Sequence, residues 1–333
     1  ALTGSIPENN LKTGDEIILP ALTWSTTVWP VIQCGLIPVY IDCELDTFNI
    51  DTNKIEEAVS SKTKAIFSVP IYGNPCNMDA ILSICEKYNL MLIEDCCESM
   101  GATYKGKSVG SFGRVGSFSF YYSHHITTLE GGICVTDDFE LAEMMRIIRA
   151  HGWIRQVEDK KKWTKKYPGF DPKFLFVNEG YNLRITEPQA SMGLIQIDKL
   201  DGFIKKRISN ASNYRSSFSK YSDFFSFQET TKDAKNSHFG FPFVVKKNNF
   251  FNRDEICKYL NDNGIETRPI IAGNIARQPA NNLFDYRISG KLLNSDNIMD
   301  NGFSIGVHQS LCAESIEYVK EVFDNFFKER KVN

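Results

Sequence analysis

Short apolar runs recur along the first hundred residues, each bounded by a turn signal or a polar stretch. Glu16–Pro20 follows Gly14-Asp15, and residues 38–41, 65–69 and 90–93 are similar runs rich in Val, Ile and Leu. Runs of this length without polar alternation predict strands buried on both faces. Helical patterns lie between them: within residues 79–88, Ile81, Ile84 and Cys85 share one face. Strands alternating with helices predict an α/β fold with a parallel sheet covered on both sides. Its ligands are expected beyond the carboxyl ends of the strands.

The texture changes after Glu94. Residues 101–113 hold four glycines, which predicts a hairpin and loops, and residues 115–122 alternate like a strand. Glu130-Gly131-Gly132 reads as a tight turn into a strand over 133–136, followed by a helix over 139–150. Residues 153–179 are polar, basic and punctuated by Pro and Gly, which predicts a long loop. Thr186 is placed to cap a helix with Pro188 in its first turn. That helix is expected to run past Leu200 toward Phe218, with a break near Asp201-Gly202, and to bridge to a second domain. The second domain has a strand-like run over 238–245, a helix over 253–261, a strand over 265–269 and a last helix over 313–327. The expected division is a large domain over 1–203 and a smaller C-terminal α/β domain over 204–333. Ala1-Leu2-Thr3-Gly4 reads like the end of a helix already under way, so preceding residues are expected in the native chain.

Composition narrows the function. A net charge of −3 gives no general attraction to nucleic acid. The one basic run, Lys160–Lys166, reads as a solvated surface loop, the alternative being a patch that meets an anionic ligand. Nine scattered cysteines and no leader-like segment suggest reduced thiols and a cytoplasmic protein. No apolar stretch approaches the ~18 residues of a membrane span. His124 and His125 are adjacent, so on an extended chain their rings point to opposite faces. No third ligand stands at a typical zinc spacing, so no metal is expected.

Two positions stand out chemically. Asp95 falls at the carboxyl end of a buried strand, where a charge is costly unless paired. It is either a helix cap or ion-pair partner, or a carboxylate facing a cationic ligand atom such as a pyridinium nitrogen. Ser119, at the end of the next strand, is either an ordinary strand residue or a phosphate ligand.

The order of motifs then becomes specific. Pro20-x-x-Thr23-Trp24, Glu94-Asp95-x-x-Glu98, Ser119-Phe120-x-x-Ser123-His124, Glu130-Gly131-Gly132 and Gly180-Tyr181-Asn182 together resemble the nucleotide-sugar aminotransferases of the DegT/DnrJ/EryC1/StrS family, over nearly the whole chain. These are fold-type I pyridoxal-phosphate enzymes. The resemblance implies a large domain with a mainly parallel seven-stranded sheet. Trp24 would stack on the pyridine ring, and Asp95 would pair with the ring nitrogen. Glu98 would lie near the ring oxygen, and Ser119 would bind the cofactor phosphate. Asn182 would reach the phosphate in a neighbouring subunit, which implies a homodimer with shared sites. Ser123, Arg184, Arg268 and His308 are candidates for substrate binding, Arg184 as a fork for the carboxylate of glutamate or, equally, as a structural ion-pair partner. The family's phosphate-cradling Ser-Gly-Ser/Thr turn would precede Gly14-Asp15, upstream of this sequence.

His124 departs from the family pattern, which has at this position the lysine that bonds covalently to the cofactor. Imidazole forms no stable Schiff base but can move protons. His124-His125-Ile126-Thr127 resembles a subgroup, the sugar C3-dehydratases. In that subgroup glutamate converts the cofactor to its amine form, pyridoxamine 5′-phosphate, and leaves as 2-oxoglutarate. The amine condenses with the C4 keto group of a nucleotide-linked sugar. His124 would then remove a proton so that the C3 hydroxyl is expelled, and hydrolysis would give ammonia and a 3-deoxy-4-keto sugar. One branch of the subgroup uses a [2Fe–2S] cluster and carries a Cys-x-Cys pair. Here no cysteine lies between Cys134 and Cys257, so no iron–sulfur cluster is expected. The remaining resemblance is to the cluster-free branch acting on GDP-4-keto-6-deoxymannose. An ordinary sugar aminotransferase, or a homologue that binds a nucleotide sugar without catalysis, are the alternatives.

Overall fold

The computed structural model describes residues 1–3 and 11–330. Glu16–Pro20 is buried along its whole length because it lies inside a seven-stranded sheet. In spatial order the strands are Arg287–Ile288, Ile37–Ile41, Glu16–Pro20, Thr63–Ser68, Met91–Asp95, Val115–Ser119 and Gly132–Val135. All neighbours are parallel except the last pair. Strand alternation sends Ile17 and Leu19 into one core with Val28, Val31 and Ala65, and Ile18 into another with Val39, Ile66 and Ile81. Both faces therefore demand apolar residues, which explains the unbroken runs in the sequence.

The edge strand Arg287–Ile288 comes from well beyond residue 204, yet it belongs to this sheet. Arg287 forks onto Glu16, donating to Oε1 (3.1 Å) and Oε2 (2.7 Å). Burial opposes ionisation of Glu16, but Arg287 and the Ser60 and Thr63 hydroxyls outweigh it and hold the carboxyl below its ordinary range. Nearby, the buried carboxylate of Asp42 accepts from the Asn294 and Ser295 amides (2.9 and 2.8 Å).

A four-stranded antiparallel sheet follows, in the order Thr267–Arg268, Gly302–Gly306, Gly240–Val245 and Phe225–Phe227. Its core is dense in phenylalanine. The Phe243 ring stacks on Phe303 (centroids 4.8 Å apart) and on Phe323 (5.3 Å). Phe243→Ala is expected to cost about 3–5 kcal/mol, read as a lower urea midpoint for the protein.

Three expectations are corrected. The stretch 153–179 is not a plain loop: Lys160–Lys166 is helical, with Asp159 Oδ1 accepting from the Lys162 amide (3.1 Å). Trp163 anchors that helix in a cluster with Met144, Ile147 and Leu175, an apolar tie that the surrounding lysines obscured. The strand expected over 115–122 ends at Ser119, and residues 121–124 turn, the His124 amide donating to the Tyr121 carbonyl (3.0 Å). The helix opened by Thr186, whose amide donates to Gln189 Oε1 (3.0 Å), runs over Glu187–Ile197 and breaks at Asp198-Lys199, ahead of Asp201-Gly202. A second helix, Leu200–Phe218, then buries Arg207, Ala211, Tyr214 and Phe218 along one face. Leu2 and Thr3 lie in a turn, and the rest of the expected helix ending lies outside the described residues. Among the described residues, no helix is long and apolar enough to cross a membrane.

Candidate active site

Four neighbouring parallel strands end at Pro20, Ser68, Asp95 and Ser119, so the segments that follow gather at one edge of the sheet. Trp24, Tyr72, Glu98 and His124 are each three to five residues past one of these ends. Trp24 caps the helix Ser25–Gln33 and keeps its indole 56% exposed. One turn further, the Thr27 hydroxyl donates to Asp95 Oδ2 (2.6 Å), while the Cys97 amide donates to Oδ1 (3.3 Å). The Asp95 carboxylate is thereby oriented by neutral groups and meets no cation among the described residues.

Glu94 and Glu98, which flank Asp95, do different work. Glu94 is buried and accepts from the amides of Gly110, Phe112 and Gly113, each at 2.7 Å, which pins the glycine-rich segment against the sheet. Glu98 is partly buried and accepts from the Tyr72 amide (3.1 Å). Burial pushes the Glu98 carboxyl up to about 8, against the Tyr72 hydrogen bond, and the charge of Asp95 adds to the rise. Tyr72 sits at φ 55°, and its hydroxyl donates to Ser304 Oγ (2.8 Å) in the second sheet. Ser119 Oγ accepts from the Tyr121 amide (3.1 Å), so the serine also shapes the turn that presents His124.

The His124 ring lies against Phe239 (centroids 5.1 Å apart) and Tyr121 (6.0 Å). Its Nδ1 is buried and has no hydrogen-bond partner among the described residues. Burial pushes His124 down to about 4; the Asp95 charge opposes this and the Arg207 charge reinforces it. At neutral pH the imidazole is therefore uncharged and able to accept a proton. His125 points inward, with Nε2 3.2 Å from the Ser237 carbonyl, and burial takes it to about 3. His238 is also pushed down by burial, to about 4. Below pH 6.5 the unfolded chain takes up protons at these histidines that the folded chain refuses. Stability should thus be full above about pH 6.5 and fall as pH drops toward 4, measurable as a falling Tm over that interval.

Beside the turn opens a cleft of about 830 Å³ whose walls include Tyr122, Ser123, Arg207, Phe239, Arg268 and His308. It brings together three of the four expected substrate residues. Arg268 donates to Glu266 Oε1 (2.8 Å), and His308 Nδ1 is 2.7 Å from Ser310 Oγ. Arg207, Tyr72 and Phe239 were not expected from the sequence. Tyr72 could have been found from its position after the third strand end, but Arg207 had no such signal.

Asn182 and Arg184 are elsewhere, on an exposed strap paired with residues 149–151. Arg184 donates to Asn182 Oδ1 through Nε and a terminal nitrogen (3.3 and 3.2 Å), with no carboxylate partner among the described residues. Around them Phe174, Phe176, Tyr181, Leu183 and Ile185 are exposed, as are Leu194 and Ile195 on the following helix. Among the described residues no cluster of three His, Cys, Asp or Glu side chains could hold a metal ion.

Comparison with known proteins places this arrangement. The chain is 42% identical over 315 residues to a GDP-4-keto-6-deoxy-D-mannose 3-dehydratase of Escherichia coli O55:H7, covering 94% of this chain and 80% of that protein. It is 40% identical to the enzyme of the same name from Yersinia pseudotuberculosis, covering 92% and 78%. A solved structure of E. coli GDP-4-keto-6-deoxy-D-mannose-3-dehydratase with bound hydrated PLP superposes with a TM-score of 0.86 at 39% identity, covering 95% of this chain and 82% of that one. The model of the DegT/DnrJ/EryC1/StrS aminotransferase family matches residues 1–324. The chain belongs to that family, and its large parallel sheet with a smaller C-terminal α/β region is the architecture of fold-type I pyridoxal-phosphate enzymes.

Proposed function

We propose that this protein is a glutamate-dependent C3-dehydratase. It removes the C3 hydroxyl of a GDP-linked 4-keto-6-deoxy sugar, a hexose or heptose, and yields a 4-keto-3,6-dideoxy sugar, 2-oxoglutarate and ammonia. The observation that carries this reading is His124, an uncharged imidazole with an unpartnered Nδ1 where the family motif has lysine. The relatives named as 3-dehydratases support it.

The residues at the strand ends fit pyridoxal or pyridoxamine 5′-phosphate. An aromatic face is free at Trp24, a carboxylate without a cation stands at Asp95, and the buried Nδ1 of His124 lacks a partner. When bound, the cofactor supplies an amine that condenses with a keto carbon and a ring that takes up an electron pair. Trp24 would stack on that ring. Asp95, oriented by Thr27, would keep the ring nitrogen protonated, and Glu98 would border the ring oxygen. Ser119 would hold the phosphate, with Asn182 contributed by a second copy. The exposed apolar residues around Asn182 are too many for a stable solvated face, which supports a homodimer. Arg184 on the same strap would meet the carboxylate of glutamate. Ser123, Arg268 and His308 would line the path of the nucleotide sugar.

His124 would take the proton whose removal drives off the C3 hydroxyl. Having no primary amine, it does not recapture the cofactor covalently, so the unsaturated amine is released and hydrolysed. Two electrons leave glutamate as it becomes 2-oxoglutarate, and two reduce C3 of the sugar. No external reductant or iron–sulfur cluster is required.

Because burial holds His124 near 4, activity should not decline through the ordinary imidazole range. The acid limb of kcat/KM is expected well below pH 6.5, read from a pH profile between 4.5 and 8. Adding L-glutamate to the protein loaded with pyridoxal phosphate should shift its absorbance from the aldehyde to the amine form and release 2-oxoglutarate. An unchanged spectrum would favour a non-catalytic nucleotide-sugar binder.

A further inference from the structure

Arg207 is a buried charged residue of the cleft to which the proposed chemistry gives no task. It lies on the helix Leu200–Phe218, is 2% exposed, and forms part of the cleft wall. Its Nε donates to Gln309 Oε1 (2.9 Å), and one terminal nitrogen donates to the carbonyls of His238 (3.4 Å) and Phe239 (3.1 Å). All three acceptors are neutral. No carboxylate pairs with Arg207 among the described residues. The other arginine of the cleft, Arg268, is paired with Glu266.

A buried guanidinium without a counter-ion is costly, and nothing in its local task calls for a charge. One turn on, Asn210 already ties the same helix to the carbonyls of Val307 and His308 (3.2 and 3.0 Å), using a neutral amide. The guanidinium also leaves one terminal nitrogen with no acceptor among the described residues, in a wall shared with Ser123 and His308. A charged guanidinium nitrogen left free to donate is well suited to an oxygen of a carboxylate or a phosphate.

The geometry points to Arg207 as the receptor for an oxyanion that enters the cleft, the missing counter-ion being supplied by the substrate. The recognised chemistry is a carboxylate or phosphate oxygen. Under the dehydratase reading it has two sources, the carboxylate of the amino donor and the diphosphate of the nucleotide sugar. Only that choice of sources rests on the dehydratase reading; the unpaired guanidinium stands without it. Through the Phe239 carbonyl, Arg207 also steadies the residue whose ring packs against His124.

The test is equilibrium binding of glutarate and of inorganic pyrophosphate to the cofactor-loaded protein, by calorimetry, in the wild type, Arg207→Lys and Arg207→Met. No turnover is involved, so the result is independent of whether dehydration occurs. The wild type should bind at least one of the two anions. Arg207→Met should weaken that anion at least tenfold, and Arg207→Lys should weaken it less. Loss of glutarate alone identifies the donor carboxylate, and loss of pyrophosphate alone identifies the diphosphate. Wild-type protein that binds neither anion would overturn the proposal, as would a folded Arg207→Met protein that binds both undiminished. Should Arg207→Met fail to fold, Arg207→Lys decides: affinity for both anions equal to wild type overturns the proposal, because one ammonium cannot hold Gln309, the two carbonyls and an anion as the guanidinium does. A reduced affinity supports it.

Discussion

His124→Asn is expected to lower glutamate-dependent ammonia release by about 10²–10⁴-fold, the contribution of a positioned general base. Asparagine approximates the ring's size but accepts no proton at neutral pH. The substitution removes no hydrogen bond from Nδ1, which has none, so the fold should survive and Tm should change little. The second half-reaction, in which His124 takes the proton that drives off the C3 hydroxyl, should be the more strongly affected. His124→Lys provides the complementary measurement. A lysine here should become trappable on the cofactor by borohydride and should slow dehydration. Ammonia release at the wild-type rate in either variant would remove His124 from the mechanism.

Subunit sharing gives the second large effect. An Asn182→Ala/Arg184→Ala protein should be inactive, and so should His124→Asn. Equal amounts of the two, dissociated and allowed to re-associate at random, should recover about a quarter of wild-type activity, because half the dimers are mixed and each mixed dimer has one intact site. The basis is the location of Asn182 and Arg184 on an exposed strap rather than in the cleft wall that holds Ser123, Arg268 and His308. If each chain completes its own site, the two lesions reside in separate sites and mixing restores nothing.

The sheet was legible in the sequence because its central strands are buried on both faces. Ile17, Ile18 and Leu19 all meet apolar neighbours, so the pattern is continuous and its ends are sharp. Within the candidate site, Asp95 and Ser119 stood out as polar residues closing apolar runs, whereas Trp24, Glu98 and His124 were singled out by the motif resemblance alone; the structure sets these three a few residues past strand ends. The helix Lys160–Lys166 was not legible, since its single buried residue, Trp163, is outnumbered by lysines. The edge strand Arg287–Ile288 is two residues long and too short to carry a pattern. Arg207 was hidden differently. Nothing in Lys205-Lys206-Arg207 singles out the third residue, and only tertiary packing shows that it turns under Phe239 and Gln309 while the first two stay in water. Its role depends on contacts more than thirty residues away, which periodicity does not encode.

The fate of nitrogen tests the central claim most directly. Purified protein, pyridoxal phosphate and L-glutamate are incubated with GDP-4-keto-6-deoxymannose, and ammonia, 2-oxoglutarate and the sugar product are quantified together. Deoxygenation through His124 predicts one ammonia for each 2-oxoglutarate and a 3-deoxy-4-keto sugar without nitrogen. A 4-amino sugar formed in step with 2-oxoglutarate, with no free ammonia, would contradict it and make the protein an aminotransferase.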